Sequence, residues 1–354
     1  MMRSVVVDKI ASVAQHHELG RELRLAGEIP CEEGVLVAVE VLNNKTRYNT
    51  MELTSGRMAT VKRGDVIVGA LGHRKALRGY SGHLPKTLAP GDTVQLLNIG
   101  GVLGVCDSVN PDVGPPFDCR VLGTVLTFPY LGERIGVPAR VGEFPLDDDA
   151  GLDVQGVPVI ALAGTCMDSG KTAAACAIVS RLRHNRHRVA AGKATGVALR
   201  RDVLAMEDAG AGEGLLFMDF GVVTTSASNG PTLTRSLLTK LAEDRPDAIV
   251  MELGDGLLGP YGVAAILDDP ALKAAFTAVV LCANDPVASW GGVKLLRETH
   301  GIEPVVVTGP ATDNAVGVDM IIEGLGVAAI NALTDGVRLG DLVAEHVGLG
   351  GERR

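Results

Sequence analysis

The nine residues Gly164-Thr165-Cys166-Met167-Asp168-Ser169-Gly170-Lys171-Thr172 concentrate the chemistry of this chain. An apolar run, Val157 to Ala163, precedes them, and an apolar, helix-compatible run, Ala173 to Leu182, follows. A buried strand, a turn ending in Gly-Lys-Thr and then a helix make a phosphate cradle, because free backbone N–H groups and the positive end of the helix dipole face one point. In such a cradle Gly170 lets the backbone approach a phosphate, Lys171 reaches the terminal phosphates and the Thr172 hydroxyl ligates Mg²⁺. Gly164 and Gly170 stand one residue further apart than the glycines of the common G-x-x-x-x-G-K-[ST] loop, so Thr165 occupies the usual first glycine position. A Gly-Lys-Thr triplet alone also fits a plain helix start with an exposed lysine. The strand before it and the helix after it select the phosphate-binding reading. The expected ligand is ATP or GTP with Mg²⁺, contacted by Gly164, Thr165, Asp168, Ser169, Gly170, Lys171 and Thr172.

A Mg²⁺ triphosphate site also needs acidic oxygen ligands, which belong at or just beyond strand ends. In Ala248-Ile249-Val250-Met251-Glu252-Leu253-Gly254-Asp255-Gly256, Glu252 closes an apolar strand and flexible glycines follow, which makes it a metal-ligand candidate. Lys193 ends the strand candidate Arg188 to Lys193. There it lies on the strand adjoining the phosphate loop as a second catalytic ammonium beside Lys171, unless it is a surface lysine that snorkels.

The elements that must position these groups follow from the alternation after residue 157. Strand candidates are Val157 to Ala163, Arg188 to Lys193, Ala248 to Leu253, Ala278 to Ala283, Pro304 to Thr308 and Val327 to Ile330. Between them run helix candidates Lys171 to Arg183, Asp202 to Ala209, Thr232 to Ala242, Tyr261 to Ala275 and Pro286 to Thr299. This rhythm predicts an α/β fold with a mostly parallel, helix-covered sheet whose ligands collect at the carboxyl ends of the strands. Composition agrees: 46% of residues are hydrophobic but only 3% aromatic, so the core is built from Val, Leu, Ile and Ala.

Gly-Thr-x-x-Asp-x-Gly-Lys-Thr, a lysine ending the second strand with a glycine three residues on, and a third-strand Glu-x-Gly-x-Gly together resemble dethiobiotin synthetase and its relatives among the cobyrinate amidase-type P-loop proteins. The resemblance spans Val157 to Leu333 and implies a P-loop NTPase fold. It implies that Thr172 and Glu252 hold Mg²⁺ with Asp202 as a third ligand, that Lys171 binds phosphates, and that Lys193 faces substrate and the γ-phosphate. Asn284, after the fourth strand, and Asn314, after the fifth, lie where nucleotide bases dock in related proteins; each either reads a base edge or is a turn residue. Relatives commonly place their sites at a homodimer interface. The departures are Cys166-Met167 in place of a polar pair, Leu253 and Asp255 in place of small residues, and no proline after Lys193. These positions shape the acceptor pocket, so dethiobiotin itself does not follow as product. Cys166 also stands where partition ATPases carry a lysine.

Residues 1–145 read differently. Short apolar runs, Val35 to Leu42, Val66 to Leu71, Thr93 to Ile99, Val102 to Cys106 and Val121 to Phe128, alternate with turns, two of which enter strands through Gly64-Asp65 and Gly91-Asp92. A β-rich, barrel-like domain is expected over 1–145, a linker carrying Asp147-Asp148-Asp149 over 146–157, and the NTPase domain over 158–354. The segment His73 to Lys86 is rich in cationic side chains and either binds an anionic substrate or is a solvated loop. The loop Asp219 to Gly230, rich in hydroxyls, is either a substrate or switch loop or a helix-capping one.

A net charge of −9 argues against a nucleic-acid surface, which needs clustered Lys and Arg. The six cysteines show no zinc or disulfide spacing, and Cys166 has no histidine near it to activate a nucleophile. No signal-type or membrane-spanning apolar run is present, so the expectation is a cytoplasmic protein without a membrane partner. The chemistry expected is an ATP- and Mg²⁺-dependent ligase or carboxylase-like reaction, in which a small molecule's carboxylate or carbamate is activated by phosphorylation. Lys171, Lys193 and Mg²⁺ would neutralise the γ-phosphoryl charge, and the β-rich domain would close over the site. Two alternatives stand beside it: a nucleotide-driven switch or metallochaperone NTPase, and a group-transfer enzyme whose loop holds a phosphate-bearing donor such as coenzyme A.

Overall fold

In the computed structural model, which describes residues 2–130, 132, 134–147, 151–212 and 214–351, the short apolar runs of the N-terminal part are strands of a closed barrel. These are Leu36–Val41 (β1), Val66–Leu71 (β2), Thr93–Leu96 (β3), Val102–Val109 (β4) and Phe117–Thr127 (β5). β5 pairs with β1, β1 with β2, β4 with β3 and β3 with β5, all antiparallel, while β2 and β4 run parallel and complete the ring. Closure leaves these five strands without a free edge. Glu22–Ala26 adds to β5, and the hairpin formed by Arg74–Lys75 and Tyr80–His83 adds to β4. Ile67, Leu71, Leu103, Phe117 and Val121 fill the interior.

Contacts divide the chain into two compact units. The barrel unit comprises Met1–Pro145, Val197–Arg201 and Met218–Thr224; the other comprises Leu146–Gly196, Asp202–Phe217 and Thr225–Arg354. Of the expected linker 146–157, Asp148 and Asp149, with Ala150, lie outside the described residues. Within the barrel unit Asn98, only 3% exposed, donates from Nδ2 to the Ala198 carbonyl at 2.7 Å and accepts from the Val102 amide at 2.9 Å. Asn98→Ala leaves both backbone groups without that partner. It is expected to lower stability by about 1–3 kcal/mol, read as an earlier urea midpoint at unchanged slope.

The second unit is an α/β layer structure. Its strands are Val159–Gly164 (β6), Val189–Lys193 (β7), Leu215–Leu216 (β8), Ala248–Glu252 (β9), Phe276–Cys282 (β10), Val306–Thr308 (β11) and Ala328–Ala329 (β12). They lie in the order β8-β7-β9-β6-β10-β11-β12, and every neighbouring pair is parallel. β6 and β9 are buried at every position, as strands covered by helices on both faces must be. The helices are Lys171–His184 (α1), Arg201–Asp208 (α2), Gly230–Ala242 (α3), Val263–Asp268 (α4), Pro270–Ala275 (α5), Pro286–Lys294 (α6), Ala315–Leu325 (α7) and Gly336–His346 (α8).

The expected helix Tyr261 to Ala275 is two helices. Pro270 cannot donate and forces its predecessor out of helical geometry, so Asp269 is extended, and its carboxylate caps α5 through the Ala271 and Leu272 amides at 3.0 Å. The expected helix Pro286 to Thr299 is α-helical to Lys294 and finishes as a π turn over Leu295–Thr299. Helices α7 and α8 were not anticipated. In α7 only Ile321 is buried while Val316, Met320 and Ile322 are exposed. Among the described residues no helix is long and apolar enough to cross a membrane. All six cysteines are unpaired thiols.

Candidate functional site

The site lies within the second unit, where the central strand β6 ends. The chain leaves β6 at Gly164, whose carbonyl accepts from the Leu257 amide at 2.9 Å, and the Thr165 amide donates to the Cys282 carbonyl at 2.9 Å. Gly164 is required by crowding: a Cβ there would sit 2.4 Å from Ser169 Oγ and 2.8 Å from Lys171 Nζ. Asp168 at φ 57° and Gly170 at φ 89° turn the loop, and Gly170 is the N-cap of α1. Backbone amides and the helix dipole thus converge on the loop, the arrangement that binds phosphate.

Lys171 opens α1 and is 6% exposed. Its ammonium donates to the Cys166 carbonyl at 2.9 Å, Ser169 Oγ at 3.4 Å and the Asp255 carbonyl at 2.6 Å. All three acceptors are neutral, so a buried cation is held without a directly bonded carboxylate, and a phosphate oxygen would be the stronger partner.

A second cluster adjoins it. The register of β7 on β9 sets Lys193 opposite Glu252. Thr172 Oγ1 donates to Glu252 Oε2 at 2.9 Å and lies 3.4 Å from Asp202 Oδ1. Lys193 Nζ pairs with Asp202 Oδ2 and lies 3.7 Å from Glu252 Oε1. Burial holds the Glu252 carboxyl above its ordinary range, and Asp202 raises it further, against Lys193, Lys171 and the Thr172 hydroxyl, which favour its charge. The same burial and the Glu252 and Asp202 charges push the Cys176 thiol up to about 11.

The structure therefore brings Lys171, Thr172, Lys193, Asp202 and Glu252 together, with Asp168, Ser169 and Gly170 in the loop they face. Two carboxylates and a hydroxyl are the hard oxygen donors that Mg²⁺ takes from a protein when phosphates and water supply the rest, so the residues present fit the ion. Among the described residues no group of three or more His, Cys, Asp or Glu forms a metal-binding cluster.

The remaining candidates divide. Thr165 Oγ1 and Asn284 Oδ1 are buried without a partner, so both retain hydrogen-bonding capacity beside the loop and after β10. Asn314 uses its Oδ1 to cap α7, accepting from Val316 at 3.0 Å and Gly317 at 3.4 Å, which is the turn role. The loop Asp219 to Gly230 is likewise structural at Thr225, whose hydroxyl accepts from the Gly196 amide at 2.8 Å and donates to the Tyr261 carbonyl at 2.8 Å.

Asp255 was expected only as a position shaping the acceptor pocket, with no catalytic or binding role. It lies in the loop after β9 at φ 69°, a strained conformation for a residue with a side chain, and neither buried carboxylate oxygen has a well-formed hydrogen bond. Burial raises its carboxyl, and Lys171 opposes that shift. The sequence signal available was a lone acid between two glycines directly after a strand-ending glutamate.

No family model matches the chain, and no curated protein matches it. Among solved structures it is similar to the signal recognition particle receptor FtsY of Elizabethkingia anophelis, at 13% identity over 52% of this chain and 64% of that one, TM-score 0.38. It is also similar to a DUF1611 family protein of Anabaena variabilis, at 15% identity over 59% of this chain and 63% of that one, TM-score 0.40. A third is hydrogenase maturation factor HypB of Archaeoglobus fulgidus, at 13% identity over 56% and 80% of the two chains, TM-score 0.31. The chain spans less than two thirds of the FtsY and DUF1611 chains. These likenesses carry no argument about activity. It is the parallel strand order with a Gly-Lys-Thr loop between its central strand and α1 that gives the second unit a P-loop NTPase fold.

Proposed function

We propose that the chain is a Mg²⁺-dependent nucleoside triphosphatase of the switch class, in which the terminal phosphate controls the loop after β9. The observation that carries this reading is the 2.6 Å bond from Lys171 Nζ to the Asp255 carbonyl. Phosphate oxygens compete for that ammonium. When they take it, the strained turn at Asp255 loses its tether, and a strain of about 1–3 kcal/mol is available to drive a rearrangement. Bound Mg²⁺ would supply charge neutralisation at the phosphates, held through Thr172, Glu252 and Asp202. Lys171 and Lys193 add two ammonium groups against charge developing on the γ-phosphoryl group, and the Asp255 carboxylate is the group able to orient an attacking water.

Hydrogen exchange over residues 253–259 tests the switch. Mg·ATP or Mg·GTP should change exchange there while the diphosphates leave it near that of the protein alone, with slow phosphate release; identical exchange in all cases would refute it. The ligase reading has one specific support, Lys193 beside the metal ligands, where a carboxylate or carbamate oxygen could meet the γ-phosphate. It requires nucleotide consumption to rise in proportion to a new small-molecule product.

Asp255→Asn should lower phosphate release by about 100-fold, the usual scale for a positioned acid–base group. It should also change the pH dependence of stability. With its carboxyl raised, the folded chain keeps that proton to higher pH than the unfolded chain, so this group's contribution to stability falls as pH rises through the ordinary carboxylate range. The variant's urea midpoint should therefore gain on the wild type as pH rises from about 4, the ordinary aspartate value, upward. A constant gap would count against a charged, buried Asp255.

A further inference from the structure

Resting on the Mg²⁺ reading of the P-loop site, we infer that Glu52 is a positioning residue for that site: it fixes the backbone of Arg200, two residues before the metal-ligand candidate Asp202, and so sets where α2 starts. Glu52 ends the strand Thr50–Glu52, which pairs with Met58–Thr60, and is fully buried. Its Oε2 accepts from the Arg200 amide at 2.8 Å, while its Oε1 is buried without a hydrogen-bond partner. Glu52 and Arg200 both belong to the barrel unit, as does the whole stretch Val197–Arg201. That stretch is the chain between Lys193, at the end of β7, and Asp202, in the first turn of α2.

The stretch is held along its length. Beside the Asn98 bond to the Ala198 carbonyl, Gly100 permits a close approach, since a Cβ there would lie 1.9 Å from that carbonyl oxygen. The Ala198 amide donates to the Val223 carbonyl at 2.9 Å, and the Arg200 guanidinium donates to the Thr54 carbonyl at 2.8 Å. The barrel unit also holds Met218–Thr224, the chain that follows β8, where Glu33 Oε1 accepts from the Val223 and Thr224 amides at 3.1 and 2.8 Å. Residues 202–217, which begin with Asp202, are therefore tethered through the chain at both ends. A carboxylate withdrawn from water to hold a backbone amide, with its other oxygen unsatisfied, is costly to fold around. A neutral side chain anchors Ala198 without that cost, so the expense at Arg200 marks a place where geometry matters. Fixing the residue before a helix fixes the direction in which first-turn side chains project. For a metal-binding carboxylate this does what an outer hydrogen bond does: the oxygen is already in place when the ion arrives.

The gain in affinity for a fluorescent ATP analogue on adding Mg²⁺, relative to a chelator, tests this on the full chain. Glu52→Ala should match the wild type in chelator and show a Mg²⁺ gain smaller by about tenfold, the scale of a lost outer-shell partner. Glu52→Asp, which keeps the charge and most of the packing but draws the acceptor back from the amide, should lower the gain too. Glu52→Gln, which loses the charge but keeps a carbonyl oxygen for Arg200, should restore it. Val121→Ala loosens the barrel interior but removes no bond to Val197–Arg201, so it should keep the full gain. Equal gains in the wild type, Glu52→Ala and Glu52→Asp would overturn the inference and leave the metal site standing, as would an equal loss in Val121→Ala, the mark of lost stability. No Mg²⁺ gain in the wild type would remove the metal reading itself, and this inference with it.

Discussion

Lys171→Ala is expected to weaken binding of a Mg²⁺–nucleoside triphosphate by at least about 100-fold, about 2.7 kcal/mol, while the chain stays folded. The loss is large because the ammonium sits above a loop whose other anion-binding groups are backbone amides. Removing it deletes a charged donor that in this structure is bonded only to neutral acceptors and so is available to the terminal phosphates. The fold survives because alanine suits the first position of α1, and the deletion also removes a buried charge that no carboxylate directly neutralises. Titration with a fluorescent ATP analogue, alongside urea unfolding, separates the two quantities. Retained affinity in a folded variant would remove the phosphate-binding assignment and the proposed function with it.

Glu252→Gln is expected to reduce Mg²⁺-dependent phosphate release by about 100-fold or more, the scale seen when a preorganised charged group is removed from a transition state. Glutamine keeps the shape and can still accept from Thr172 Oγ1, so packing around this 2%-exposed side chain is preserved. What it removes is one of two carboxylates facing the cation, leaving Asp202, which is already paired with Lys193. The signature that separates a metal-ligand role from a structural one is the dependence on Mg²⁺. Nucleotide affinity measured in a chelator should match the wild type, and the gain in affinity on adding Mg²⁺ should shrink. Equal Mg²⁺ responses in the two proteins would show that Glu252 is not a ligand.

How much of this could be read in advance differs from residue to residue. The β6–loop–α1 unit was legible because its signal is local: a continuous apolar run, glycines at a tight turn and a helix start lie within one stretch of chain. Lys193 and Glu252 were legible for a related reason. In a parallel sheet, residues that end adjacent strands come to the same edge, so two strand-ending polar residues become neighbours once the alternation is recognised. Asp202 has no such local mark and came only through the family resemblance. Asn314 had two equal readings, and the capping bond to Val316, which shows the turn role, is visible only in the folded chain. The break at Asp269-Pro270 was visible as a proline but was outweighed by the apolar pattern around it.

The amino-acid sequence alone determined the phosphate loop, the parallel α/β class of the second unit, and the pairing of a lysine and a glutamate beside that loop. Each of these depends on short-range patterns and on strand-end geometry. Tertiary structure alone decided that the five N-terminal strands close into a ring through one parallel pair, that Asp255 is strained and bonded through its carbonyl to Lys171, and that Arg74 is buried with its Nε unpartnered. The physical reason is common to all three. Strain, burial and missing partners are properties of what surrounds a residue, and those surroundings come from segments far apart along the chain.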